Sequence, residues 1–168
     1  MKHSLEHIIQ QYKTSIFKIC LGYAATQAEA EDLLQETFIN IWKGLARFRE
    51  EAKLKTWIYR VTVNTCLVSL RKKRIPTTAL TTLQEIHLSS YSSSPENSEA
   101  LELLHQHIQA LPEKDRVIIL LYLEALSHKE IAQVIGISAN HVGVRISRIK
   151  QRLRSRMTLG VLGKDRKL

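Results

Sequence analysis

At 168 residues and 44% hydrophobic composition the chain can build one ordinary domain or two small ones, and six Gly and three Pro against many Leu, Ile, Ala, Glu, Gln and Lys favour helices over strands. The formal charge is +9, and it is uneven: +6 over residues 1–74, −4 over 75–111 and +7 over 112–168, with the first excess lying in residues 51–74. The longest apolar run, Val117–Leu123, is too short to cross a bilayer, and the first residues lack the apolar core of a signal peptide, so a membrane or exported protein is excluded in expectation and a cytoplasmic one is expected.

In chain order, Leu5, Ile8, Ile9, Tyr12, Ile16, Ile19, Cys20 and Tyr23 recur at helical spacing and predict a first helix, broken by GYAATQ. From Glu29, the residues Leu33, Leu34, Phe38, Ile41, Trp42 and Leu45 predict a second amphipathic helix, with its acids near the N-terminus where the helix dipole favours them. A third is predicted over Leu54 to Lys73, with a buried stripe of Leu54, Trp57, Ile58, Val61, Leu67 and Leu70, ending in RKKR. Cys20 and Cys66 sit among apolar residues without metal-ligand spacing and read as buried thiols.

Residues 75–98 hold ten Ser or Thr, two Pro and no basic residue, the composition of an extended linker. Beyond it, Leu101, Leu104, Ile108 and Leu111 mark another helix, and Pro112 suits the first position of the next, expected over Glu113 to Ala125. Ser127 and Glu130 form a capping-box pattern opening a short helix that Gly136 should end, and Ser138 or Asn140 can cap the last helix. Short helix, glycine turn and longer basic helix is the helix-turn-helix order.

The last helix carries six Lys or Arg between Arg145 and Arg156 and no acid. Steps of 100° gather Val142, Ile146, Ile149 and Leu153 into one seam toward a core. The outward face then presents Asn140, His141, Val144, Ser147, Arg148 and Gln151, with Arg145, Arg148 and Arg152 along one flank and Lys150 and Arg154 along the other. Base-reading residue types between phosphate-pairing charges suit a helix lying in a major groove. A membrane-surface helix would need a broader apolar face than this seam.

In the third helix, Lys55, Trp57, Tyr59, Arg60 and Asn64 interleave aromatics, cations and an amide, a set able to hold unstacked bases against a phosphate backbone, although Trp57 and Tyr59 equally suit a core. No HExxH, glycine-rich phosphate loop or Cys/His/Asp constellation is present, so neither an enzyme, a metal, a cofactor nor a small-molecule substrate is expected. A stand-alone helix-turn-helix regulator, or a basic protein binding RNA or acidic partners, remains compatible with these features.

Three stretches together carry a resemblance: EAEDLLQETFINIWKGLARF (29–48), KTWIYRVTVNTCLVSLRKKR (55–74) and LPEKDRVIILLYLEALSHKEIAQVIGIS (111–138). They resemble the extracytoplasmic-function sigma factors of bacterial RNA polymerase. The resemblance implies an all-helical protein with region two over 1–74, a linker over 75–98, region four over 99–160 and a tail over 161–168. It implies that Asp32, Leu33, Gln35, Glu36 and Phe38 dock on the clamp helices of the largest core polymerase subunit. It further implies that Asn64 reads the downstream promoter element as single strand, with Lys55, Trp57, Tyr59 and Arg60 beside it and Arg71, Lys72, Lys73 and Arg74 holding phosphates. The upstream element would be read by Ser138, Asn140, His141, Val144, Arg145, Ser147, Arg148 and Arg152, and an anti-sigma partner is expected.

Two departures stand out. Glu50 replaces the glycine usual after FR, and HVGVR (141–145) replaces the usual Thr-Val-Lys/Arg-Ser-Arg. For the latter two readings stand: Gly143 allows close approach to the backbone and Val144 packs on a thymine methyl, or both are neutral changes at a tolerant site.

Overall fold

A computed structural model of the chain describes residues 4–74 and 95–164. Seven helices and no strand occur among them: α1 (Leu5–Leu21), α2 (Gln27–Leu45), α3 (Leu54–Arg74), α4 (Pro95–Gln109), α5 (Glu113–Leu123), α6 (His128–Ile135) and α7 (Ala139–Lys164). The chain divides into two compact units, α1 to α3 in one and α4 to α7, apart from Gln133–Ile135, in the other. Most of the expected linker, residues 75–94, and the end of the expected tail, 165–168, lie outside the described residues. α4 begins at Pro95, within the stretch expected to be linker, and α7 runs past residue 160.

In the first unit each of the three helices packs on the other two. Ile8, Ile16 and Ile19 of α1, Leu33, Leu34 and Ile41 of α2 and Ile58, Val63 and Cys66 of α3 are buried. The α3 core face differs from the predicted stripe: Leu54, Trp57, Val61, Leu67 and Leu70 are only partly covered, whereas Thr56, Thr62 and Thr65 are buried. The polarity of Thr62 and Thr65 is concealed locally. The Thr62 hydroxyl donates to the Ile58 carbonyl (2.9 Å) and Thr65 to that of Val61 (2.9 Å), while Thr37 of α2 donates to Leu33 (2.7 Å). A threonine bonded one turn back packs in a core as a methyl-bearing side chain.

α2 starts two residues before the expected Glu29 because Thr26 is its N-cap, accepting from the Glu29 N–H (3.2 Å), while the Glu29 carboxylate accepts from the Ala25 N–H (2.7 Å). Cys20 and Cys66 are buried free thiols; their mutual hydrogen bond and then burial push the Cys66 thiol well above its ordinary pKa.

In the second unit α5, with Val117, Ile118 and Leu121 buried, packs on α4 and α7. Pro112 is the N-cap of α5 rather than its first helical residue. Arg116 fixes the turn before it by donating to the carbonyls of Gln109 and Leu111. α5 ends in a Schellman pair, Leu126 N–H to Leu121 carbonyl and Ala125 N–H to Tyr122 carbonyl, with Ala125 left-handed (φ 57°). The capping box of Ser127 and Glu130 opens α6, Gly136 (φ 75°) closes it, and Ser138 accepts from the His141 N–H (3.3 Å) to cap α7.

Candidate nucleic-acid interface

α7 is positioned by its seam. Val142, Ile146, Ile149 and Leu153 are all buried, which turns Asn140, His141, Val144, Ser147, Arg148 and Gln151 outward as expected. Val144, 51% exposed, is an apolar side chain offered to solvent at the middle of that face. Ser138 is exposed, but its hydroxyl is already engaged as the helix cap.

The flanks differ from the simple reading. Asp115 of α5 receives Arg145 (Nε to Oδ1, 3.1 Å) and Arg152 (Nη1 to Oδ2, 3.7 Å). On the other flank Lys150 donates to the Tyr122 hydroxyl (2.7 Å), its ammonium 4.3 Å from that ring's centroid. Among the described residues Arg148, Arg154 and Arg156 form no ion pair, so the cations available to phosphates lie on and beyond the outward face. A Cβ at Gly143 would lie 3.3 Å from Nδ1 of His128, an exposed side chain at the start of α6.

On α3, Arg60, Asn64, Val68 and Arg71 are all exposed and fall within about 80° of one another around the helix, making one stripe of cations, an amide and an apolar residue. Hydropathy alone does not place Val68 there, because its neighbours Leu67 and Leu70 mask which apolar positions face inward. Lys72 is exposed beside the stripe, and Arg74 closes α3 with its side chain outside the described residues. Lys73 is ion-paired with Glu29 (2.7 Å). Burial pushes the Glu29 carboxyl up, but the Lys73 ammonium and the backbone N–H groups of Ala25 and Thr26 outweigh it and hold the pKa below the ordinary glutamate value.

The two aromatics separate. Tyr59 is 3% exposed and meets Tyr12 edge-on (centroids 6.2 Å apart, 89°), so its ring cannot stack on a base and belongs to the core; partial burial raises the Tyr12 phenol pKa. Trp57 is half-buried against Phe48 (5.0 Å, 39°) and over Gly44, where a Cβ would lie 2.8 Å from the indole Cζ2. Lys55 beside it is half-buried. In the loop leading into α3, Glu50 holds φ 56°, a left-handed conformation that glycine adopts freely. The loop thus keeps a glycine-like turn without the glycine.

α2 presents a third face. Asp32, Gln35 and Glu36 are exposed, and the strip continues one and two turns on through Ile39 (50% exposed) and Trp42 (62% exposed). Trp42, expected on the buried side, stands one helical step of about 100° from the buried Ile41 and faces out. Trp42 and Lys43 also line a groove of about 880 Å³ against Leu5 and Glu6 of α1. Leu33, expected in this face, is 5% exposed and packs in the core, and Phe38 is half-buried. Among the described residues no cluster of His, Cys, Asp and Glu could hold a metal, and no helix is long and apolar enough to cross a membrane.

Comparison with known proteins places both units. Residues 8–75 match the family profile of Sigma-70 region 2, and residues 101–153 that of Sigma-70, region 4. The chain is 32% identical to the ECF RNA polymerase sigma factor SigW of Bacillus subtilis, over 89% of this chain and 87% of that one. It is 30% identical to the RNA polymerase sigma-H factor of Pseudomonas aeruginosa, over 89% and 84%. Its fold is similar to that of the sigma factor RpoE of Bartonella quintana, solved in complex with the anti-sigma factor NepR, with a TM-score of 0.70, 20% identity and coverage of 91% of this chain and 96% of that one. With both units matched in order, the chain belongs to the sigma-70 family, as an RNA polymerase sigma factor of the extracytoplasmic-function type.

Proposed function

We propose that the three exposed faces divide the work of promoter-specific initiation. The α2 strip of Asp32, Gln35, Glu36, Ile39 and Trp42 docks on core polymerase, acidic at one end and apolar at the other. The α3 stripe of Arg60, Asn64, Val68 and Arg71 captures the downstream element once it is single-stranded, with Arg71 and Lys72 on phosphates. The outward face of α7 enters the major groove of the upstream element, where Asn140 and Arg148 can make paired hydrogen bonds to a base edge and Val144 can meet a thymine methyl. On this reading residues 1–74 and 99–160 are the two functional domains, the chain acts in the cytoplasm, and it works by binding rather than by catalysis. The NepR complex of the similar sigma factor supports an anti-sigma protein as a further partner of this chain.

The observation that carries the docking assignment is the exposure of Ile39 and Trp42 in line with Asp32, Gln35 and Glu36. A stand-alone regulator has no use for such a strip on the unit that lacks the helix-turn-helix. Asp32→Lys and Trp42→Ala should each abolish or strongly weaken co-purification with core polymerase while leaving the helical content unchanged. Undiminished assembly of both variants would remove α2 from the interface.

A further inference from the structure

Asp115 is the one acidic side chain paired with α7 among the described ion pairs, and it takes two arginines at once. Arg145 and Arg152 are seven residues apart, so they stand two turns from each other on one side of α7. A single carboxylate, 14% exposed, meets one arginine with each oxygen and is thereby fixed between the helices. Both guanidinium groups keep more than a third of their surface in water, and ion pairs of that kind contribute little to stability. Their consequence is positional. A carboxylate held between α5 and two turns of α7 resists rotation of α7 about its own axis, and Lys150 on Tyr122 does the same from the opposite flank.

The pairing also changes the charge offered to DNA. Two of the six cations between residues 145 and 156 are neutralised within the protein, and what faces outward is the mixed set of Asn140, His141, Val144, Ser147 and Arg148. Phosphate contacts bind any duplex, whereas base-edge contacts discriminate. Building on the reading of α7 as the duplex reader, we infer that Asp115 is a positioning and specificity-determining residue: it withholds Arg145 and Arg152 from the phosphates and so raises the weight of base contacts in upstream-element recognition.

The test uses the full chain bound to core polymerase, with binding to a promoter duplex and to a scrambled duplex of equal length measured over a salt series. Asp115→Asn should release the two arginines, steepen the slope of log K against log salt by about one to two, since each phosphate neutralised adds about 0.9, and lower the promoter-to-scrambled ratio several-fold. Its helix-dipole contribution to α5 cannot produce that change in slope. Arg145→Gln/Arg152→Gln, which keeps Asp115, should leave the slope within experimental error of the parent. A fall of one to two in that slope, or an unchanged slope in a folded Asp115→Asn chain, overturns the inference. Arg148→Ala separates this from the underlying reading: if it leaves promoter binding untouched, α7 is not the reader at all, and if it weakens promoter binding while the other variants misbehave, only the role of Asp115 fails.

Discussion

Gly44→Ala tests how the first unit is packed. Gly44 lies inside α2 with no special backbone angle, so alanine should favour the helix by about 1 kcal/mol. Against that, the new Cβ would sit 2.8 Å from Trp57 Cζ2 and 3.4 Å from Cη2, where ordinary contact begins near the second of these distances. The indole would have to retreat by about half an ångström or more, and it is held by Phe48 at 5.0 Å. Overpacking of this kind typically costs about 1–3 kcal/mol, which leaves a net loss of about 1 kcal/mol. Both tryptophans of the chain, Trp42 and Trp57, lie in the first unit, so urea unfolding followed by tryptophan fluorescence reads that unit. With a slope of about 1 kcal/mol per molar urea for a small domain, the midpoint should fall by about 1 M. Introducing Trp57→Phe first should remove the clash and turn Gly44→Ala neutral or stabilising, a coupling that a double-mutant cycle measures. An unchanged or raised midpoint for Gly44→Ala alone would refute the account of Trp57 as a ring wedged on the glycine.

Gly143→Ala should behave oppositely: its Cβ would meet only the end of the exposed His128 side chain at 3.3 Å, so a helix gain of about 1 kcal/mol should survive in part, raising the thermal midpoint of the second unit while upstream-element affinity is retained. Because the Glu29 carboxyl is held below its unfolded value, the stability it contributes is present above the ordinary glutamate pKa of ~4.3 and is lost as pH falls through the lower folded value; Glu29→Gln should flatten that part of the stability–pH curve, and a parallel curve would contradict the Lys73 pairing. Burial and a raised pKa should make Cys66 inert to iodoacetamide at neutral pH, with modification at the rate of unfolding; rapid labelling of the native chain would show an open core.

Local patterns with strong geometry are legible in the amino-acid sequence. The Ser127–Glu130 capping box, the turn at Gly136 and the α7 seam each depend on residues within one or two turns, and the fold contains all three. What hydropathy misplaces depends on neighbours distant in sequence. Trp42 and Trp57 are equally apolar, yet one faces water and the other finds a place on Gly44, a choice made by the packing of α2 on α3. Hydropathy rotates the α3 core face away from its true position because buried threonines look polar, although the hydroxyls of Thr62 and Thr65 are bonded within their own helix. The start of α2 does have a local signal, the Thr-x-x-Glu pattern of Thr26 and Glu29, which the apolar periodicity from Glu29 onward does not reveal. The engagement of Arg145 and Arg152 by Asp115 spans two helices and has no sequence signature.

Transcription in vitro from a randomised promoter library, with core polymerase and this chain, tests the central claim most directly. The account predicts transcripts whose templates share two separate elements, an upstream one whose selection changes with Arg148→Ala and a downstream one whose selection changes with Asn64→Ala, and no enriched transcripts with Asp32→Lys. Tight sequence-specific binding of the chain alone to duplex DNA, with no effect on where polymerase initiates, would contradict it.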